Sequence, residues 1–291
     1  GLNPVFCDVD PATYTIDPDA AENLISNRIT GIVGVHLWGR PCDVDALTAL
    51  ADRHGLRLIF DASHAFGCSH GGRMVGTFGD AEVFSFHATK LLNSAEGGAI
   101  VTNDRAFADG ARLMRNFGFA DYDRTAGLGI NGKMSELSAA MGLTSLESLP
   151  RFIAANRRNY DGYRAGLAEV PGLSLVSHEP SERHNYHDVV VDVSESEAGI
   201  SRDVLQRVLW EENVLARRYF YPGAHRMEPY RSVARAGSSL PVTEHLAART
   251  LVLPNGGEIG AEEIERVCEL AAFVVENGPE IAQRLSRDCG P

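Results

Sequence analysis

Apolar positions along this chain follow two rhythms. Short, nearly unbroken apolar runs at 31–37, 57–61, 81–86 and 99–102 have the length and composition of strands buried in a parallel sheet. A shorter run at 5–9 reads the same way. Between the first two long runs, Val44, Leu47, Leu50 and Ala51 recur at helical spacing, with Asp43 placed to cap the helix and Gly55 to end it. Asp17-Pro18 marks the start of a helix over 16–25, and 104–116 reads as another. Strand, helix, strand at this spacing is a βαβ unit. The first half therefore predicts an α/β fold, a mainly parallel sheet with flanking helices.

The second half changes character. A long helical region over 137–166 is expected to break near Pro150. Strand runs at 173–176, 187–193 and 216–221 are interspersed with helices at 202–213 and 262–276, the pattern of a smaller α+β domain. The expected division is a large domain over 1–155 and a small C-terminal domain over 156–291.

The polar residues that interrupt the apolar runs carry the chemistry. Asp61 closes the 57–61 run, and in open α/β sheets ligands bind beyond the carboxyl ends of strands. Lys90 follows the 81–86 run. Of 27 Lys plus Arg, only Lys90 and Lys133 are lysine. Arginine stays protonated, whereas a lysine amine can lose its proton and attack a carbonyl to form a Schiff base. A lysine for an aldehyde and an acid for a pyridinium nitrogen is the pair that pyridoxal phosphate requires. Lys133 sits in a glycine-rich stretch and suits a structural or phosphate-facing role.

Four blocks in order extend this reading: Asp61 with His64, Ser85-Phe86-His87-Ala88-Thr89-Lys90, Glu96-Gly97-Gly98, and 129–136 with Asn131 and Lys133. Together they resemble the DegT/DnrJ/EryC1/StrS family of pyridoxal-phosphate sugar aminotransferases, which have the aspartate aminotransferase fold. The resemblance runs from Gly1 to about Glu276. It implies that Lys90 carries the cofactor and moves the proton, that Asp61 pairs with the ring nitrogen, that His64 lies near the ring, and that Ser85 binds the phosphate. It implies that Asn131 reaches the cofactor of a neighbouring subunit, so that a homodimer shares its sites. It places His87, Tyr221 and His225 near the sugar nucleotide, and makes glutamate the amino donor and a nucleotide-linked (dTDP) 4-keto-6-deoxy sugar the acceptor. It further implies that this chain matches the family only after an N-terminal segment that carries a phosphate-binding turn and a stacking aromatic residue. Two other readings belong to the same resemblance: a sugar dehydratase, although those relatives replace the lysine with His, and a non-catalytic binding or regulatory relative.

Composition narrows the rest. A length of 291 residues can bury a large core. A net charge of −12 argues against nucleic acid as partner. Five cysteines, an odd number with no Cys-x-x-Cys pair, suit a reduced cytoplasmic protein. No apolar run reaches the roughly 18–20 residues of a membrane span. The glycines form no dinucleotide or Walker pattern, and no Gly-x-Ser-x-Gly elbow supports a hydrolase triad from Asp61, His64 and Ser85.

Overall fold

The computed structural model describes residues 2–233 and 239–288. They fold into two compact units: 25–151 with 180–185, and 1–24 with 152–179 and the chain from 186 onward. The division drawn from the sequence at 155 places both 1–24 and 180–185 elsewhere. Side-chain pairing explains the grouping. Asp8 accepts hydrogen bonds from the amides of Val242 and Thr243 and from the Thr243 hydroxyl, and Phe6 packs against His225 and Tyr230.

In the first unit, β1 (Gly31–Val35), β2 (Arg57–Asp61), β5 (Ala81–Ser85) and β6 (Gly98–Val101) form a sheet in the order β1-β2-β5-β6. β1, β2 and β5 are parallel, and β6 is antiparallel to β5. A hairpin of β3 (Ser69–His70) and β4 (Arg73–Met74) fills the β2–β5 connection. Helix α1 (Pro18–Leu24) precedes the sheet in sequence, and α2 (Val44–His54) joins β1 to β2. Asp43 Oδ1 accepts the Ala46 amide, and Gly55 ends α2 in the left-handed conformation, as the sequence predicts. Val44, Leu47, Leu50, Leu58 and Phe60 are buried.

The sheet is not buried on both faces, which corrects the expectation for its strands. Burial alternates along β1, and Val33 and Ile100 are 63% and 54% exposed. Continuous apolar composition identifies a strand but does not say how many of its faces are covered. The run at 5–9 makes only an isolated bridge, Val9 with Ile16. After β6 come α3 (Arg105–Arg115), a hairpin of β7 (Phe119–Asp121) and β8 (Arg124–Thr125), and α4 (Glu136–Gly166). α4 passes through Pro150 without a break, so the expected interruption does not occur. Proline removes one backbone donor from the ladder there.

In the second unit, β9 (Leu173–Leu175), β10 (Val189–Val193) and β11 (Thr250–Leu253) form an antiparallel sheet in the order β11-β10-β9. Helices α5 (Arg202–Glu211), α6 (Pro241–Arg249), α7 (Ala261–Glu276) and α8 (Gly278–Asp288) complete it. Tyr163, Val189, Leu209, Leu251 and Val274 are fully buried and anchor this core. The strand expected over 216–221 is absent. Arg217 alone pairs with Val252, and the chain then turns toward Pro222 and Gly223.

Candidate active site

The carboxyl ends of β1, β2 and β5 lie side by side. Asp61, the last residue of β2, stands in register with Val35 on one side and Val83 on the other. Ser85 ends β5 two residues beyond Val83, and adjacent strands are about 4.8 Å apart. The Asp61 carboxylate accepts the Ser63 amide at 2.9 Å, while its carbonyl accepts the His36 amide at 2.9 Å.

His64 lies on the turn after β2, half-buried, with its Nδ1 accepting the Trp38 amide at 3.4 Å. Trp38 and Gly39 form the turn after β1, with φ of 54° and 76°. A tryptophan in the left-handed region is uncommon, and it is held here by burial of the indole. Neither turn residue was singled out from the sequence.

Ser85 Oγ accepts the His87 amide at 3.4 Å. Lys90 sits half-buried on a turn that its own amide closes onto the His87 carbonyl at 2.9 Å. The loop is tied back to the strand end: Phe86 N–H donates to the Gly97 carbonyl, and Ser94 N–H to that of Phe86. Gly98 must lack a side chain, because a Cβ there would stand 2.5 Å from the Phe84 carbonyl oxygen. His87 is exposed and pairs with Thr89 Oγ1 at 2.9 Å and Glu96 at 3.7 Å.

Asn131 lies on an exposed loop of the same unit, bridged to Asn116. Its Oδ1 accepts Lys133 Nζ at 2.8 Å, and that amine rests over the Phe117 ring at 4.0 Å. Tyr221 and His225 belong to the other unit. The Tyr221 ring lies 5.1 Å from the Arg202 guanidinium and 4.9 Å from that of Arg218. His225 is buried against Glu244, whose carboxyl is held below its usual range chiefly by that hydrogen bond.

Four cysteines fall among the described residues. Cys7, Cys42, Cys68 and Cys268 form no disulfide, and burial pushes the Cys68 thiol up to about 12 and the Cys7 and Cys268 thiols up to about 11. Thiols so raised stay protonated and unreactive near neutral pH. Among the described residues, no group of His, Cys, Asp and Glu is arranged to hold a metal ion, and no helix is long and apolar enough to cross a membrane.

The model of the DegT/DnrJ/EryC1/StrS aminotransferase family matches residues 1–271. The chain belongs to this family. It is 36% identical over 269 residues to a dTDP-4-amino-4,6-dideoxy-D-glucose transaminase of Shigella dysenteriae, a match that covers 92% of this chain and 72% of that protein. It superposes with a TM-score of 0.93, at 48% identity, on DesI crystallised in the presence of its TDP-sugar product, covering 98% of this chain and 72% of DesI. PseC of Helicobacter pylori, an aminotransferase of pseudoaminic acid biosynthesis, superposes with a TM-score of 0.88 at 25% identity, over 94% of this chain and 74% of PseC. Fold class and family membership thus agree with the expectations from sequence. The family members among these neighbours are sugar aminotransferases, and the parallel sheet end that bears Asp61 and Ser85 is where such a fold binds its ligands.

Proposed function

We propose that this aminotransferase transfers an amino group from glutamate to a dTDP-linked 4-keto-6-deoxy sugar, with pyridoxal phosphate as cofactor. The observation that supports this reading is the placement of Asp61 at the end of β2 and of Ser85 at the end of the adjacent parallel strand β5, with Lys90 on the turn that follows β5. The donor set suits the cofactor. A carboxylate, a primary amine, an imidazole and a hydroxyl are the groups that a pyridinium nitrogen, an aldehyde, an aromatic ring and a phosphate call for. The similarity to the Shigella transaminase and to DesI supports the choice of substrate.

When bound, the cofactor supplies an aldehyde and a ring that withdraws electrons from the carbon losing its proton. Lys90 Nζ would hold the aldehyde, and its amine would be the base that takes the α proton of the donor and the acid that gives a proton to the sugar carbon. Asp61 holds the ring nitrogen protonated and so stabilises the charge that develops. Ser85 Oγ binds the phosphate, and His64 lies beside the ring. His87, exposed on the loop after β5, is our proposed contact for the sugar nucleotide.

We place Asn131 at the cofactor phosphate of a partner subunit. Leu128, Ile130 and Leu137, around the Asn131 loop, are 91%, 70% and 86% exposed, an apolar surface that a second copy would cover. Free cysteines accord with a reducing, cytoplasmic setting.

The test is incubation of the protein with the dTDP-linked keto sugar and nitrogen-15 glutamate, followed by mass spectrometry of the sugar nucleotide. Nitrogen-15 in the product is expected. A dehydrated product without nitrogen would instead indicate a dehydratase, and no turnover with no cofactor uptake would indicate a binding relative.

A further inference from the structure

We propose that Asn185 is a positioning residue for His64, acting from far along the chain to fix the turn that follows β2. The proposal rests on reading this strand end as the cofactor site. Asn185 is buried, 1% exposed, and its Nδ2 donates to two carbonyls, His64 at 2.8 Å and Phe66 at 3.1 Å. Carbonyl oxygens only accept, so the orientation of this amide follows from its partners. Both of its donor hydrogens go to the one turn that carries His64.

The opposite end of His64 is held independently. Trp38 N–H donates to Nδ1, which places the proton of the neutral ring on Nε2. The residue after Trp38 makes room for the clamp. A Cβ on Gly39 would stand 2.8 Å from Asn185 Oδ1, and φ there is 76°, so glycine is required on both counts. The turn after β1 thereby meets His64 at its ring, and the segment bearing Asn185 meets it at its backbone.

The segment is itself anchored. Glu182 accepts the Ser69 hydroxyl and the Gly71 amide, each at 2.5 Å, and the Gly72 amide at 3.4 Å. Arg183 N–H donates to Ser69 Oγ at 2.8 Å, and Ser69 N–H returns to the Arg183 carbonyl at 3.0 Å. Asn185 therefore reaches the His64 turn from a fixed base. Its loss leaves two carbonyls without their buried donor and frees the turn.

The experiment has two arms, with Leu209→Ala as a control that lowers the melting temperature from a core in the other unit. In the first arm, nitrogen-15 signals of the His64 ring are recorded without cofactor, assigned with His64→Gln. Wild type and Leu209→Ala should show the single Nε2–H tautomer, and Asn185→Ala and Asn185→Asp should show averaging of both tautomers. This arm decides the proposal even if wild type takes up no pyridoxal phosphate, an outcome that would refute the cofactor reading alone. In the second arm, pyridoxal phosphate is titrated by absorbance. Asn185→Ala should weaken its binding about tenfold and should add nothing in a His64→Gln background. An unchanged His64 signal in both Asn185 variants, or equal weakening with and without His64, would overturn the proposal.

Discussion

A carboxylate at the end of a parallel strand keeps most of its acceptor capacity for a ligand, and Asp61 does so here, with the Ser63 amide as its local donor. Asp61→Asn keeps the shape and loses the charge. Loss of a charge partner shifts a pKa by about one to three units, each a factor of ten in rate when it is lost from the transition state, so turnover should fall at least about a hundredfold. Cofactor binding should be retained. Wild-type turnover with Asp61→Asn would remove this carboxylate from the mechanism. The sequence singles out Asp61 and Ser85 because they stand at the ends of apolar runs, His64 because it follows Asp61 closely, and Lys90 because it stands against an arginine-rich background. Asn185 was not. It reaches His64 across 121 residues of sequence, and nothing local in Arg-His-Asn-Tyr-His marks the contact.

At the scale of elements, local signals held where the cause is local. The Asp43 cap and the Gly55 stop of α2 are each fixed by backbone geometry within one turn. Expectations failed where partners are distant. The run at 216–221 has strand composition but no extended partner beyond Val252, and the one exposed face of the sheet is a matter of covering, not of composition. Two predictions belong here. Gly98→Ala brings a Cβ against the Phe84 carbonyl and should cost about 1–3 kcal/mol, read as a lowered denaturant midpoint. An unchanged midpoint would mean that β6 can shift freely against β5. The second concerns Glu182, whose carboxyl is held below its ordinary range, first by the Ser69 hydroxyl and then by the Gly72 and Gly71 amides. A depressed folded-state pKa gives stability above the unfolded value of about 4.3 that is lost as pH falls through the folded value. Acidification below about pH 4.3, through the lower folded value, should therefore release the 180–185 segment, seen as faster amide exchange at Gly71 and Gly72. Glu182→Gln should show fast exchange already at neutral pH, and slow exchange in that variant would contradict the assignment.

At the scale of the whole molecule, the proposal is a shared dimer site. Mixing Lys90→Ala subunits with Asn131→Ala subunits should restore activity, because one site of each mixed dimer carries both lesions and the other carries neither. No recovery despite subunit exchange would place Asn131 in service of its own subunit or outside the site. All of this depends on one lysine holding the cofactor. The most direct measurement is borohydride reduction of the protein after incubation with pyridoxal phosphate, followed by digestion and peptide mapping. A pyridoxyl group on Lys90 is the predicted result, with loss of the violet-blue absorbance on reduction. A label on Lys133, or absorbance and label both absent from protein that is folded and saturated with pyridoxal phosphate, would contradict it.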